Sequence, residues 1–237
     1  SLYVDPDTGK FIVKNLPTGK YTVYEYGSPK GFTVNKASQT ITISSGKTAS
    51  VSFINTQDSG TAQIKKAWNH KNDTSSTKAD YNNIYFVIKN SAGTTVKGTG
   101  SAGSYTYSVS GTVTHFKLNN SNTFALKSLP IGTYTVYEYG NDGSAVPYYT
   151  RQNLSRKVTV TAGGTGAVTF TNTRNTGTGE IIKTWKDTNG KTIAASSNTA
   201  RNKQIYFRIK NADGKYITAS GTKYSGSYTF TGTSTTA

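Results

Sequence analysis

Four separate stretches of this 237-residue chain recur later in the same chain. Leu129-Pro-Ile-Gly-Thr-Tyr-Thr-Val-Tyr-Glu-Tyr-Gly140 echoes Leu16-Pro-Thr-Gly-Lys-Tyr-Thr-Val-Tyr-Glu-Tyr-Gly27, and Gly166-Ala-Val-Thr-Phe-Thr-Asn-Thr173 echoes Ala49-Ser-Val-Ser-Phe-Ile-Asn-Thr56. Asn83-Ile-Tyr-Phe-Val-Ile-Lys-Asn90 pairs with Gln204-Ile-Tyr-Phe-Arg-Ile-Lys-Asn211, and Gln63-Ile-Lys-Lys-Ala-Trp68 with Glu180-Ile-Ile-Lys-Thr-Trp185. The offsets imply a unit of roughly 115 residues, an ordinary size for one domain. Residues 59–175 then form one complete copy. Residues 1–58 are the C-terminal part of a copy, and residues 176–237 the N-terminal part of another.

The two partial copies are complementary. Joined end to start, they reproduce the complete copy's spacing to within about one residue, inside ordinary loop variation. Each alone would expose strand edges and half a core. Two arrangements satisfy this: a register cut through a long tandem array, or separate chains completing one another head to tail as an open filament. The first asks for less.

Composition assigns the units to the all-β class. Hydrophobic residues make up only 33%, but 17 Tyr and 9 Phe supply bulky apolar surface, and Ser, Thr, Gly and Asn fill much of the rest. That mixture suits antiparallel sheets with one buried and one wet face. A net charge of +16 leans towards disorder, which the regular alternation and turn chemistry oppose. In the complete copy, strands are expected near 62–68, 83–90, 94–99, 103–109, 112–118, 122–128, 132–139, 154–161 and 165–172, with the polar segment 69–81 as a surface loop. No helical period stands out. Evenly spaced short strands with turn signals point to a Greek-key sandwich.

Several function classes drop out. There is no Cys, so neither a disulfide nor a thiolate metal site is available, and no Met, which suits an oxidising exterior. Two scattered His and few carboxylates leave no metal, cofactor or conventional catalytic centre to expect. No apolar run approaches membrane-spanning length, and no signal segment opens the chain, so export must be directed from outside it. The 27 Lys+Arg against 11 Asp+Glu favour acidic neighbours, but their scatter reads as solubility rather than a specific nucleic-acid surface. The Gly-rich run Thr161–Thr165 precedes no helix and is not a phosphate loop. Leu16-Pro-Thr-Gly19 lacks the spacer residue and tail of a sorting signal and reads as a turn.

Strand alternation singles out three polar positions in apolar company. Ile64, Lys66 and Trp68 share a face, as do Ile181, Lys183 and Trp185; Lys65 points the other way, and its counterpart is Ile182. Tyr134, Val136 and Glu138 line up, matched by Tyr21, Val23 and Glu25. Val168, Phe170 and Asn172 line up, matched by Val51, Phe53 and Asn55. An ammonium, a carboxylate and an amide in one core are costly unless they satisfy one another. One reading is a buried Lys–Glu pair with Asn as hydrogen-bond partner. The other is chemical: burial lowers a Lys pKa and raises a Glu pKa, leaving a neutral amine beside a protonated acid that polarises the Asn carboxamide. The amine could then attack the amide carbon and expel ammonia, with proximity supplying much of the acceleration.

At these residues the chain resembles the Cna B-type (collagen-adhesin B repeat, pilin-like) domains of Gram-positive surface proteins. Three elements carry the resemblance: the first-strand Lys before Trp, the Leu-Pro-x-Gly-x-Tyr-Thr-Val-x-Glu segment, and the terminal Val-x-Phe-x-Asn-Thr. The Glu segment followed by Ser28-Pro-Lys-Gly-Phe32 is the most specific; the second copy, with Pro147-Tyr148, is looser. The resemblance implies tandem immunoglobulin-like β-sandwiches in which Lys and Asn form an isopeptide cross-link promoted by Glu. Carried over, Lys66 would join Asn172 with Glu138 assisting. In the divided copy Lys183 would join Asn55 with Glu25 assisting, between neighbouring units. Related surface domains form Thr–Gln ester links, and Gln57 lies near a strand end, but it has no obvious partner set.

The function implied is structural: a stalk or fibre repeat on the surface or wall of a Gram-positive bacterium, its partners neighbouring copies of itself. The alternative is an adhesin module binding a host matrix protein, a glycan or an anionic wall polymer. No turnover enzyme is expected, since the Lys–Glu–Asn set would act once, on itself.

Overall fold

A computed structural model describes residues 1–27, 29–72, 84–143, 146 and 148–237. The rest of the expected 69–81 loop beyond residue 72, the first residue of the strand expected at 83–90, and the motif residues Ser28 and Pro147 lie outside the described residues.

The chain begins with a long unpaired stretch. β1 (Gly19–Tyr24) then pairs antiparallel with β3 (Ser38–Ile43), while β2 (Phe32–Val34) pairs with β4 (Asn55–Gln57). Residues 44–54, expected to hold the terminal strand of the first copy, form no ladder before Asn55. In the complete copy the matching strand lies beside the strand carrying Lys66, and the first copy lacks that neighbour.

Residues 59–174 hold the sandwich. β5 (Ser59–Asn69), β6 (Ile84–Lys89), β7 (Gly98–Ser101), β8 (Ser104–Tyr107), β9 (Thr123–Pro130), β10 (Gly132–Gly140), β11 (Tyr149–Arg151), β12 (Ser155–Val160) and β13 (Thr165–Arg174) form two sheets. One sheet runs β12-β10-β6 and the other β11-β13-β5-β9-β8-β7. The inner faces meet through Ala62 and Ile64 of β5, Ile84, Phe86 and Ile88 of β6, Phe124 and Leu126 of β9, Val136 of β10 and Phe170 of β13, all essentially sealed from water. Phe86 packs edge-on against Phe170 at 5.3 Å and tilted against Phe124 at 5.6 Å, geometries that aromatic pairs prefer. Every buried hydrophobic side chain among the described residues lies between Ala62 and Phe170. The all-β sandwich expected from the sequence is therefore present.

Two details differ from the sequence reading. The segment 112–118 is not a strand: Val113 exchanges backbone bonds with Gly98 at the edge of the larger sheet, and Phe116 with Phe86 in the smaller. It crosses from one sheet to the other, so neither can hold it for a full ladder. Its passage past β7 is close, since a Cβ on Gly111 would meet the Gly98 carbonyl oxygen at 2.4 Å. The expected strand at 94–99 shrinks likewise to a single bridge, Thr95 to Lys89, before β7 begins. Conversely, the three-residue β11 is too short to show alternation in sequence, and it seats on β13.

The last part holds β14 (Trp185–Lys186), β15 (Thr192–Ile193), a 3-10 turn at Ala195–Asn198, the one-turn helix α1 (Thr199–Asn202), β16 (Tyr216–Ser220) and β17 (Thr229–Ser234). The segments 180–185 and 204–211, which repeat the sequences of β5 and β6, are almost entirely unpaired. Their counterparts β5 and β6 pair with β9, β13 and β10, whose equivalents here stand at the other end of the chain. No helix is long and apolar enough to cross a membrane among the described residues.

A single residue, Asp58, separates β4 from β5. Its N–H donates to the Gly31 carbonyl (2.8 Å), its carbonyl accepts from Ile131 N–H (3.1 Å), and its carboxylate accepts from Thr33 Oγ1 (2.6 Å). Asn175 repeats the first and third of these contacts after β13, with the Tyr148 carbonyl (2.8 Å) and Thr150 Oγ1 (2.6 Å).

Candidate cross-linking site

The first and last strands of the complete copy lie side by side. β13 runs parallel to β5 from Thr165 opposite Thr61 to Thr173 opposite Asn69, which sets Phe170 beside Lys66 and Asn172 beside Trp68. Lys66 and Asn172 are an even number of positions from this shared register, so both project into the core. Lys65 is exposed, as its alternation requires. Glu138 enters from the opposite sheet, on β10 opposite Phe86. Leu129-Pro-Ile-Gly132 turns β9 into β10, and Tyr134 closes that turn with a hydroxyl bond to the Pro130 carbonyl (2.7 Å).

Lys66, Glu138 and Asn172 converge. They are 6%, 1% and 0% exposed. Glu138 touches both partners: Lys66 Nζ donates to Oε2 at 3.2 Å, and Asn172 Nδ2 donates to Oε1 at 2.6 Å. The Asn172 Oδ1 atom is buried without a hydrogen-bond partner. Burial lowers the Lys66 pKa to about 8; Glu138 pulls the other way, and the Arg151 guanidinium adds to the lowering. A substantial fraction of this amine is thus neutral in mildly alkaline solution, which an exposed lysine does not achieve.

Aromatic groups close the outer side. The Lys66 ammonium lies 4.7 Å from the Trp68 ring centroid, Trp68 stacks edge-on with Tyr149 at 4.9 Å, and the Tyr149 hydroxyl meets His70 Nδ1 at 2.8 Å. Trp68 Nε1 donates to Asn122 Oδ1 at 3.2 Å, and the Lys66 N–H donates to the Asn122 carbonyl at 2.8 Å. Arg151 Nη1 donates to the Glu138 carbonyl at 2.6 Å. Sequence alternation does not reveal Arg151: it lies on the unexpected strand β11, and its counterpart by register, Val34, is apolar.

The matching residues at the two ends of the chain are only partly brought together. Asn55 Nδ2 donates to Glu25 Oε1 at 2.8 Å, the same contact as in the complete copy. Glu25 Oε2 and Asn55 Oδ1 are both buried without a partner. Lys183 is exposed and apart from them: its Nζ donates to the Thr184 carbonyl at 3.0 Å and lies 4.4 Å from the Trp185 ring centroid. The structure thus brings Lys66, Glu138 and Asn172 together, and Glu25 with Asn55, but not Lys183.

Among known proteins, residues 3–57 match the family model of the SpaA prealbumin-like fold domain. The resemblance to Cna B-type, pilin-like domains is borne out by that match. No curated protein matches the chain. Similar solved structures include GBS52, the minor pilin of the Gram-positive pathogen Streptococcus agalactiae, at 15% identity and a TM-score of 0.40, covering 72% of this chain and 66% of that one. The Bacillus anthracis TIE protein is 20% identical with a TM-score of 0.44, covering 76% of this chain and 32% of that one. The major pilin T3.2 of Streptococcus pyogenes is 16% identical with a TM-score of 0.38, covering 69% and 70%. The chain spans just under two thirds of the first of these proteins and about one third of the second.

Proposed function

We propose that the chain is a stalk or fibre segment of a Gram-positive cell-surface protein whose sandwiches lock themselves with Lys–Asn isopeptide bonds. The observation that supports this best is the double contact of Glu138, one carboxylate oxygen on the Lys66 amine and the other on the Asn172 carboxamide, in a core closed to water. A structural Lys–Glu pair with Asn as hydrogen-bond partner would account for the same two contacts, but it leaves the Asn172 carbonyl oxygen buried without a partner. The third member, an amide with an unpartnered carbonyl oxygen, is the electrophile that aminolysis requires.

The steps balance without any added reagent. Proton transfer from Lys66 to Glu138 leaves a neutral amine and a carboxylic acid. Turning the Asn172 amide about its Cβ–Cγ bond brings the unpartnered Oδ1 to the acid, which donates to it and makes Cγ more electrophilic. The Lys66 nitrogen attacks Cγ, the Cγ–Nδ2 bond breaks, and the departing amide nitrogen takes up the amine's proton through Glu138 and leaves as ammonia. Fixed proximity replaces a diffusional encounter. The product ties β5 to β13, so tension entering at the start of residues 59–175 and leaving at their end meets a covalent bond.

Residues 1–58, 59–175 and 176–237 act in this reading as part, whole and part of successive units. Asp58 supports a stiff stalk, since its main-chain N–H and C=O bond backbone on both sides of the joint and no free linker intervenes. In the divided unit Lys183 of one copy would join Asn55 of the next, with Glu25 promoting the bond.

Intact mass under denaturing conditions tests the proposal. Each link removes one ammonia, about 17 Da by the stoichiometry of amine plus carboxamide. The full chain is expected to be lighter than its sequence by that amount, and Glu138→Ala to restore the full mass. A wild-type chain of unreduced mass defeats the reading for the complete copy.

A further inference from the structure

The cross-linking site contains a fixed cation that the reaction itself does not consume. Arg151 lies on β11, directly opposite Asn172 of β13. Cross-strand partners project to the same face, so Arg151 starts from the sheet that carries Asn172. Its guanidinium reaches the other sheet and donates to the Glu138 main-chain carbonyl at 2.6 Å. One side chain therefore braces the strand holding the electrophile against the strand holding the carboxylate. The flanking structure supplies little substitute, since β11 has only three residues.

We infer that Arg151 is a positioning residue of the cross-link, holding Glu138 over Asn172 and keeping a permanent positive charge beside the Lys66 amine. The inference rests on the isopeptide reading. The charge matters because guanidinium stays protonated wherever lysine titrates, so it disfavours the ammonium form and favours the nucleophilic amine. The groups facing Lys66 are Glu138 from β10, which favours the ammonium; Arg151 from β11, which disfavours it; uncharged Asn172 from β13; and the Trp68 ring on its own strand. His70 and Arg174 stand farther out, against Tyr149. Burial is the main cause of the lowered Lys66 pKa, and Arg151 adds a smaller push in the same direction, against Glu138. The divided copy has Val34 at this position, opposite Asn55, and lacks the brace.

The test follows the approach to the lighter mass after the full-length chain, prepared unlinked in denaturant, is diluted into buffers from mildly acidic to alkaline pH. For the wild type the rate should hold at neutral pH and fall through a midpoint near the Lys66 pKa of about 8, where the pair loses the proton that Glu138 must present to Asn172. Arg151→Val should slow linking at neutral pH by roughly ten-fold or more, as misplacement of a reacting group does, and should move the midpoint to higher pH. Arg151→Lys should keep the midpoint near the wild-type value while still linking slowly, because it retains the charge and loses the rigid fork; it also carries the test should Arg151→Val fail to fold. Linking by Arg151→Val at the wild-type rate and midpoint overturns the inference. So does slowing with an unmoved midpoint, which marks a merely structural role. If the wild type never loses the mass, the isopeptide reading falls and this inference with it, and that outcome is distinct because it appears before any variant is compared.

Discussion

The complete copy and the divided copy carry nearly the same motifs and reach different states. In the complete copy Phe170 is sealed in the core and Glu138 is shared between Lys66 and Asn172. In the first copy the matching Phe53 is half-buried, and Glu25 holds Asn55 but no lysine. In the last copy Ile181 and Ile182 are exposed beside exposed Lys183. What separates the copies is which partner strands are present. A carboxamide and a carboxylate on neighbouring parts of one half can find each other; a buried ammonium needs the other half of the sandwich to exclude water around it.

The largest expected effect concerns whether neighbouring chains become one molecule. If the divided units complement one another between separate chains, concentrated protein should give a ladder on a denaturing gel, and Lys183→Ala or Asn55→Ala should collapse it to monomers. Monomers alone in the wild type would confine cross-linking to the complete copy. Within that copy, Glu138→Ala should lower stability by roughly 4–5 kcal/mol, the loop-closure entropy of a link spanning about 100 residues. Thermal melting of purified protein reads this, and an unchanged melt would show that the lock adds nothing to folding.

A smaller contrast compares cores. Phe170→Ala should cost about 3–5 kcal/mol, as for other buried aromatics, while Phe53→Ala in the isolated chain should cost far less, because its half-core is already open to water. Equal costs in denaturant titrations would mean that the first copy is better packed than its exposure indicates. The mildest effect is on pH. In an unlinked Asn172→Ala chain, Lys66 keeps a folded pKa of about 8 against 10.5 for a free lysine. Between those values the unfolded chain binds more protons, so stability should rise with pH across this window and stay flat with respect to this group below it. A fall in stability from pH 8 to 10 would contradict the burial of Lys66 in the absence of its link.

Much of this was legible from alternation and repetition. The shared faces of Ile64 with Lys66, Val136 with Glu138, and Phe170 with Asn172 follow from the two-residue period of strands, and the sandwich obeys them. The cross-sheet passage at 112–118 and the brace from Arg151 were not legible. Each depends on which sheet a short segment meets, and a single bridge or a three-residue strand leaves no period to detect.

The copies also separate what the sequence by itself determined from what tertiary structure decided. Local devices recur whether or not a unit is complete. Asn15 and Ser128 both take left-handed φ, 59° and 56°, just before Leu-Pro. Tyr21 and Tyr134 both bond the Pro carbonyl four residues back, and Thr33 and Thr150 both bond the residue that ends their unit. These contacts close over a few residues or within one half of a unit, so the motif suffices to specify them. Strand formation at 180–185 and 204–211 and the sealing of a lysine against Glu and Asn do not recur, although their residues do. A strand's hydrogen bonds belong to its neighbours, and a lysine's neutral form depends on the apolar volume around it; both are supplied by segments far along the chain, such as Glu138, 72 residues beyond Lys66.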